Sequence, residues 1–172
     1  YATKPQGILS LSLVTPGIFP RIGVSKAEKA KIGFSMLYEP NKRFDIPLND
    51  SELFTAHPQW KAFIEADPLT LRQCSASFYL ASRRMDKIIA KLPSMKPVPI
   101  HLLLARDERI IDNETTADFV RRLHWSGCRI TWYDDARHSL EFENDPEVYF
   151  CDLVSFIAGS IDNRQSTIDN SV

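Results

Sequence analysis

The chain has 172 residues, of which 44% are hydrophobic and 25% charged, with ten Phe, five Tyr and three Trp. This composition excludes a largely disordered chain, because buried apolar surface can offset the entropy lost on ordering. The formal net charge is −1 and the Lys and Arg residues are not clustered, so we expect no nucleic-acid partner. Three cysteines without Cys-x-x-Cys spacing favour neither a zinc site nor a disulfide framework.

Membrane-directing patterns are absent from the 172 residues. No apolar run approaches the roughly 20 residues of a transmembrane helix, and no basic segment precedes an apolar one as in a secretory signal. The odd number of cysteines is typical of reduced thiols in the cytosol. A cytoplasmic protein is therefore the default expectation, although the chain opens at Tyr1 and not at Met.

Three short apolar runs predict buried strands, because they are shorter than a typical helix and are followed by turn-forming or polar residues. They are Gly7–Val14, Val98–Ala105 and Cys128–Tyr133. Helices are predicted by a capping box at Ser25 and Glu28, and by the helical spacing of apolar residues over Pro68–Leu92, Asn113–Trp125 and Asp145–Gly159. Alternating strands and helices indicate a parallel sheet with helices on both faces.

The same patterns divide the chain into four parts. Residues 1–17 hold the first core strand, and residues 18–67 form an insertion in which prolines separate short apolar stretches. Residues 68–159 complete the core. Residues 160–172 form a polar, flexible tail that is expected to fray.

Polar residues follow the second and third predicted strands, where they include the carboxylates Asp107 and Glu108 and the imidazole of His138. In open α/β sheets the carboxyl ends of the strands share one edge, at which ligands bind and catalytic groups collect. A carboxylate that binds one imidazole nitrogen fixes the tautomer, and the other nitrogen can then take a proton from a hydroxyl nucleophile. The sequence therefore predicts an acid–histidine pair at this edge.

The residues around this pair resemble α/β-hydrolases, in particular the monoacylglycerol-lipase or lysophospholipase-like branch of the serine hydrolases. Leu102–Ala105 followed by Arg109–Asp112 resembles the family's acid strand and loop, and Ala136-Arg137-His138 resembles its Ala-x-His loop. The order of acid before histidine is also that of the family. The resemblance covers about residues 1–159. It implies a partial α/β-hydrolase fold, with three parallel strands, flanking helices and a helical cap over residues 18–67.

The resemblance also implies roles for particular side chains. Aligned back from Asp112, the family's catalytic Asp falls on Glu108, with Asp107 as the alternative, and His138 is the general base. Asp112 itself is expected to cap the following helix. Three aromatic residues are candidates for an acyl or leaving-group pocket, although core packing would explain them as well: Phe54, Trp60 and Phe78.

The family's nucleophile motif, Gly-x-Ser-x-Gly, does not occur in the chain. Ser10 and Ser12 lie within the first predicted strand and lack the flanking glycines of a nucleophile elbow. The resemblance implies that Tyr1-Ala2 end the nucleophile helix, which places the serine about a dozen residues before Tyr1 and the oxyanion hole further upstream. We therefore expect the chain to be inactive alone, with its missing N-terminal half as partner.

Three functions are compatible with these residues. The first is the acid–histidine half of a serine hydrolase that acts on carboxylic esters such as monoacylglycerols or lysophospholipids, which requires no metal or organic cofactor. The second is a non-catalytic interaction module, or one subunit of a split hydrolase, that forms a homodimer through the open edge of the first strand. The third is a serine peptidase of the same fold.

Overall fold

The computed structural model describes residues 7–89, 98–123 and 127–169, of which residues 163–169 are described by their backbone alone. Short 3-10 helices in this part of the chain lie at Ser51–Leu53 and Leu140–Phe142. The strands and α-helices are, in chain order, β1 (Leu11–Val14), α1 (Lys26–Tyr38), β2 (Arg43–Asp45), α2 (Pro58–Ala66), β3 (Gln73–Ser75), α3 (Ala76–Ile89), β4 (Ile100–Ala105), α4 (Asn113–Arg122), β5 (Arg129–Tyr133) and α5 (Pro146–Asp169).

The core sheet consists of three parallel strands in the order β1–β4–β5. Leu11 of β1 pairs with Ile100 of β4, and His101 of β4 pairs with Arg129 of β5. Parallel neighbours require a long crossover connection. The predicted insertion together with β3 and α3 provides it between β1 and β4, and α4 provides it between β4 and β5. The predicted strands and their parallel pairing are thereby confirmed.

Both faces of β4 are covered, and each of its six residues is buried. Leu102 and Leu104 belong to one core with Val120 of α4, whereas Leu103 belongs to a second core with Tyr149 of α5. Side chains alternate between the two faces of a strand, so a strand covered on both faces is apolar at nearly every position. For this reason a continuous apolar run, and not an alternating one, predicted the central strand.

The segment between β1 and β4 contains helices and a short antiparallel ribbon, one strand of which lies beyond the predicted insertion. Helix α1 begins at the predicted capping box, where Ser25 Oγ accepts a hydrogen bond from Glu28 N and Ser25 N donates to Glu28 Oε2, both at 3.2 Å. α1 packs against α3, and β2 pairs with β3, with Phe44 opposite Cys74. The sequence predicted a helical cap, so the ribbon was not expected.

The helix predicted over Pro68–Leu92 begins later, at Ala76. Asp67 ends α2, and its carboxylate accepts a hydrogen bond from Leu69 N at 2.8 Å, which holds Pro68 in a turn. The residues of β3 then pair with β2 instead of joining the helix. The predicted start was therefore wrong, because a local turn and strand pairing outweigh helical spacing. Leu92, like Trp125 at the predicted end of α4, lies outside the described residues.

Helix α5 does not end at Gly159 but continues to Asp169, so that prediction was wrong. One glycine inside a helix costs about 1 kcal/mol relative to alanine. This cost is too small to end the helix when helical residues lie on both sides of the glycine. Ser160, which was expected in the flexible tail, lies within the helix and donates from Oγ to Phe156 O at 2.8 Å. Residues 1–6 and 170–172 lie outside the described residues, and the four-part division of the chain stays a prediction.

The one polar side chain of β4, His101, is fully buried. Its Nε2 atom lies 2.8 Å from Thr131 Oγ1, and its ring centroid lies 5.0 Å from that of Phe156. Burial lowers the pKa of His101, as does the positive charge of Arg129, whereas the charge of Asp152 opposes the shift. The folded protein therefore holds this imidazole neutral at pH 7.

We predict that the free energy of unfolding decreases as the pH falls below about 6.5, because the unfolded chain then protonates His101 while the folded protein resists it. A single group contributes at most about 1.4 kcal/mol per pH unit. His101→Gln can keep a hydrogen bond to Thr131 but cannot titrate, so its stability should fall less between about pH 7.5 and about pH 5.5. Urea denaturation measures both proteins, and an identical pH dependence would contradict the prediction.

Candidate active site

The loops that follow the three core strands meet at the carboxyl edge of the sheet. Asp107 N, after β4, donates a hydrogen bond to Ala136 O, after β5, at 3.0 Å. Thr15, after β1, donates from Oγ1 to the carbonyl of His138 at 2.8 Å. The backbone thus brings together the two segments that the sequence singled out, at the edge where open α/β sheets bind their ligands.

Glu108 and His138 are in direct contact, with Nδ1 of His138 2.9 Å from Oε2 of Glu108. The Glu108 side chain is fully buried, and the His138 side chain is 20% exposed. An ionised carboxylate can only accept, so the contact requires the imidazole proton to be on Nδ1. Nε2 of His138 is then the nitrogen that can accept a proton.

The backbone holds the other carboxylate oxygen of Glu108. Oε1 accepts hydrogen bonds from Ile110 N at 2.7 Å and from Ile111 N at 3.4 Å. Burial by itself raises the pKa of Glu108, but the hydrogen bonds from His138 and Ile110 outweigh burial, and the pKa is lowered overall. Glu108 is therefore a charged carboxylate at neutral pH, with donors at both of its oxygens.

The loop that carries Glu108 is fixed by the segment after β1 and by α4. Arg21 N donates to Ile110 O, and Asp112 N donates to Phe19 O, each at 2.8 Å. The Arg21 guanidinium also donates to the carbonyl of Glu108 at 3.2 Å. Asp112 caps α4 as predicted, because its carboxylate accepts a backbone hydrogen bond from the first turn of that helix at 2.9 Å.

Asp107, the alternative acid, contacts arginines instead of His138. Its Oδ2 atom lies 3.0 Å from Arg109 Nη2 and 3.1 Å from Arg137 Nε. The hydrogen bond from Arg109 is the main cause that lowers the pKa of Asp107, with Arg137 contributing in the same direction. The side chain of Asp107 is 50% exposed. The structure thus brings Glu108, and not Asp107, to the imidazole.

Thr15 holds the backbone of His138 from a strained conformation. Its φ angle is +35°, in the left-handed region that β-branched residues rarely adopt. Its N–H donates to Leu103 O at 2.9 Å while its hydroxyl donates to His138 O. Such strain persists where the surrounding structure over-determines the residue, and it clusters at functional sites. The end of β1 therefore contributes to the position of the imidazole.

His138 lines an open depression of about 710 Å³ at the surface. Of the three aromatic residues that the sequence nominated for a pocket, Phe54 lies here, with its ring edge-on to the imidazole at a centroid distance of 6.0 Å. The lining described for this depression is mainly apolar or aromatic and consists of Val14, Thr15, Phe54, His138, Ser139, Glu141, Tyr149 and Phe150.

Trp60 and Phe78 lie away from this depression. Trp60 stacks on Phe142, with ring centroids 4.7 Å apart. Phe78 is 55% exposed on α3 and lines a separate groove that includes Gly17 and Ile110. A pocket role for these two residues stays a prediction.

Sequence reasoning overlooked Arg137, which contacts both Asp107 and the insertion. The sequence marked it only as the middle residue of the Ala-x-His pattern. Its partners in the insertion, Glu52 and Thr55, lie 85 and 82 residues away along the chain. A local sequence pattern does not indicate contacts between residues more than 80 positions apart.

Two further observations concern the described residues as a whole. No group of three or more His, Cys, Asp or Glu side chains among them could hold a metal ion. No helix in this part of the chain is both long and apolar enough to cross a bilayer.

Comparison with known proteins identifies the family. The family model described as Hydrolase_4, serine aminopeptidase, S33, matches residues 3–145, and the chain therefore belongs to this family of α/β-hydrolases. No curated protein matches the chain significantly.

Solved structures confirm the fold. The monoacylglycerol lipase of Paleococcus ferrophilus is 16% identical with a TM-score of 0.82, and the match covers 92% of this chain and 62% of that one. A soluble variant of the monoglyceride lipase of Saccharomyces cerevisiae, in complex with a substrate analog, is 19% identical with a TM-score of 0.72, covering 87% and 55%. The chain thus has a partial α/β-hydrolase fold and spans less than two thirds of these relatives.

We predict that Glu108→Ala destabilises the protein by at least about 2 kcal/mol, because it leaves His138 Nδ1 and Ile110 N without their buried partner. Asp107→Ala is the matched control. It removes a half-exposed carboxylate, and its more buried partner Arg137 keeps the Glu52 carboxylate, so the loss should be about 1 kcal/mol or less. Urea denaturation gives both free energies of unfolding, and a larger loss for Asp107→Ala would show that the buried acid has been misassigned.

Proposed function

We propose that the chain supplies the acid and the general base of a serine hydrolase that cleaves carboxylic esters, with Glu108 orienting His138. The observation that carries this proposal is the hydrogen bond of 2.9 Å between Glu108 Oε2 and His138 Nδ1 at the carboxyl edge of a parallel sheet. A buried, charged carboxylate on Nδ1 fixes the tautomer and stabilises the imidazolium that forms when Nε2 takes a proton.

The reaction needs a serine hydroxyl next to Nε2 of His138. The serine oxygen attacks the acyl carbonyl as its proton moves to Nε2, and the imidazolium then gives that proton to the leaving alkoxide. Water repeats the sequence on the acyl-enzyme: its proton moves to Nε2, its oxygen attacks the acyl carbon, and the serine oxygen leaves with the proton. Glu108 remains a carboxylate throughout, because it accepts a hydrogen bond and no proton.

The serine and the oxyanion hole are proposed to come from a part of the hydrolase outside these 172 residues. The chain contains no Gly-x-Ser-x-Gly. The match to the two lipase structures covers 62% and 55% of their chains, so each of them contains a large part without a counterpart here. The chain alone is then inactive. In this proposal the depression at His138 becomes part of a closed site only when the missing half is present.

A surface suited to that half lies beside the site. Strand β1 pairs on one side only within the described residues, which leaves its other edge open. Helix α5 carries exposed apolar side chains every three or four residues, a spacing that puts them on one face. They are Phe150, Val154, Ile157 and Ile161. Phe150 also lines the depression at His138, so this apolar face continues into the proposed site.

The proposed substrates are lipid-like esters such as monoacylglycerols or lysophospholipids. Two observations support them: two solved structures with the same fold are monoacylglycerol lipases, and the depression is lined by apolar groups such as Val14 and Phe54. The family description, serine aminopeptidase, favours peptide substrates as a second candidate with the same catalytic residues. Comparing product formation from a monoacylglycerol with that from an aminoacyl p-nitroanilide separates the two.

We predict that the complete protein hydrolyses short-chain p-nitrophenyl esters and that His138→Ala lowers kcat at least about 10,000-fold. Glu108→Gln keeps the size of the side chain, but when the amide oxygen stays on Ile110 N the NH2 group faces Nδ1 and favours the opposite tautomer, so kcat should fall by about 100-fold or more. Asp107→Asn is the matched control on the same loop: its amide oxygen can still accept from Arg137, so its kcat should stay within about threefold of the wild type.

Ester turnover that is unaffected by His138→Ala would exclude the proposed role. If instead the complete protein shows no hydrolysis, the open edge of β1 and the apolar face of α5 favour the non-catalytic alternative, an interaction module that pairs with a second copy. Sedimentation of the chain at increasing concentration then decides, because a homodimer through the sheet edge forms by mass action, whereas a persistent monomer excludes that alternative.

A further inference from the structure

Arg137, the residue before His138, is nearly buried and joins three parts of the fold. Its side chain is 13% exposed. Nε donates to Asp107 Oδ2 at 3.1 Å, which connects it to the loop after β4. Its backbone N–H donates to Glu143 Oε1 at 2.8 Å, which closes its own loop after β5. The third connection runs to the insertion.

The insertion presents the end of a helical turn to the Arg137 guanidinium. Asp50 caps the 3-10 helix Ser51–Leu53, accepting a hydrogen bond from Glu52 N at 2.9 Å. Carbonyls at the end of a helical turn lack partners within the turn. Three acceptors lie within hydrogen-bond distance of Arg137 Nη1 and share its two N–H groups: Glu52 O at 2.9 Å, Thr55 O at 3.1 Å and the Glu52 carboxylate at 2.6 Å.

The same turn contacts both sides of His138. Ser139 N donates to Phe54 O at 2.8 Å, and the Phe54 ring lies edge-on to the imidazole, with an interplanar angle of 78°. Further along the loop, Thr55 Oγ1 donates to Phe142 O at 2.8 Å. His138 therefore lies between Arg137 and Ser139, which are both hydrogen-bonded to the insertion.

We propose that Arg137 is a positioning residue for His138: it fastens the turn at residues 51–55 to the histidine loop, so that the insertion fixes the orientation of the imidazole toward Glu108 and the depression. The insertion is then part of the site at this end and does not lift off it as a lid. The predicted effect on turnover rests on the proposed function, whereas the effect on the imidazole does not.

The geometry explains why arginine occupies this position. A guanidinium is a planar fork with five N–H groups, and here those on Nε and Nη1 face two carbonyls and two carboxylates at once. Lysine carries a point charge on a flexible stem and cannot hold all four acceptors in one arrangement. Glu52, in turn, is bound by Lys61 of α2, and the hydrogen bonds from Lys61 and Arg137 lower the pKa of Glu52 to about 2. The Glu52 carboxylate that binds Arg137 therefore stays charged at neutral pH.

The test compares Arg137→Met and Arg137→Lys with Arg121→Met, in which an exposed arginine of α4 that pairs with Asp118 is removed. In the 172-residue chain, NMR measures the solvent exchange of the His138 Nδ1–H proton and of the Ser139 amide. In the complete hydrolase, kinetics separate kcat from KM.

Arg137→Met should accelerate exchange of both protons at least about tenfold and lower kcat by about 10- to 100-fold, with KM within about threefold, because misplacement of a catalytic group slows the chemical step. Arg137→Lys should fall between wild type and Arg137→Met, and Arg121→Met should change neither. Unchanged exchange of the His138 Nδ1–H proton in Arg137→Met would overturn the inference. So would faster Ser139 exchange with an unchanged kcat, because Arg137 would then have a structural role only.

If Arg137→Met does not fold, Glu52→Gln removes the charged partner on the insertion, and the same exchange and kcat criteria apply to it and to Arg137→Lys. If the wild-type hydrolase turns over no ester, the proposed function fails, and the exchange of the His138 Nδ1–H proton still decides whether Arg137 orients the imidazole.

Discussion

The hydrogen bond between Glu108 and His138 is the interaction on which the rest of the site depends. An ionised carboxylate without donors is expensive to bury, yet the Glu108 side chain is fully buried. Its cost is offset because one oxygen accepts from Ile110 N and the other from His138 Nδ1. The acid loop must therefore fold back on its own amides, and the histidine loop must come to meet it, before either residue is stable in its place.

That requirement accounts for the hydrogen bonds around the site. Thr15 holds the His138 carbonyl from β1, and Arg21 holds the Glu108 carbonyl from the segment that follows. Arg137 adds the insertion to the same assembly through its hydrogen bonds to Glu52 and Thr55. The acid and histidine loops are thus held by the segment after β1 and by the insertion, both of which are far from His138 in the sequence. Preorganisation of this kind is what proton transfer requires of a general base.

The sequence predicted those features whose cause is local. An uninterrupted apolar run indicated β4, Ser25 and Glu28 marked the start of α1, and polar residues after two strands located the acid and histidine loops. The sequence did not predict features that depend on residues far apart in the chain. The start of α3 depends on β3 pairing with β2, and the role of Arg137 depends on a turn more than 80 residues away. The sequence also predicted that the last helix ends at Gly159, but the helix continues to Asp169. The low helix propensity of a single glycine is too weak an effect to end it.

The most direct measurement of the central claim is the tautomer of His138, obtained from the imidazole ¹⁵N chemical shifts at neutral pH with Asp107→Asn and Glu108→Gln as the paired variants. The structure predicts a proton on Nδ1 and a free lone pair on Nε2 in the wild type and in Asp107→Asn, because Glu108, and not Asp107, accepts from the ring. Glu108→Gln should lose this preference. A wild-type His138 that carries its proton on Nε2, or a tautomer that responds to Asp107→Asn and not to Glu108→Gln, would contradict the account.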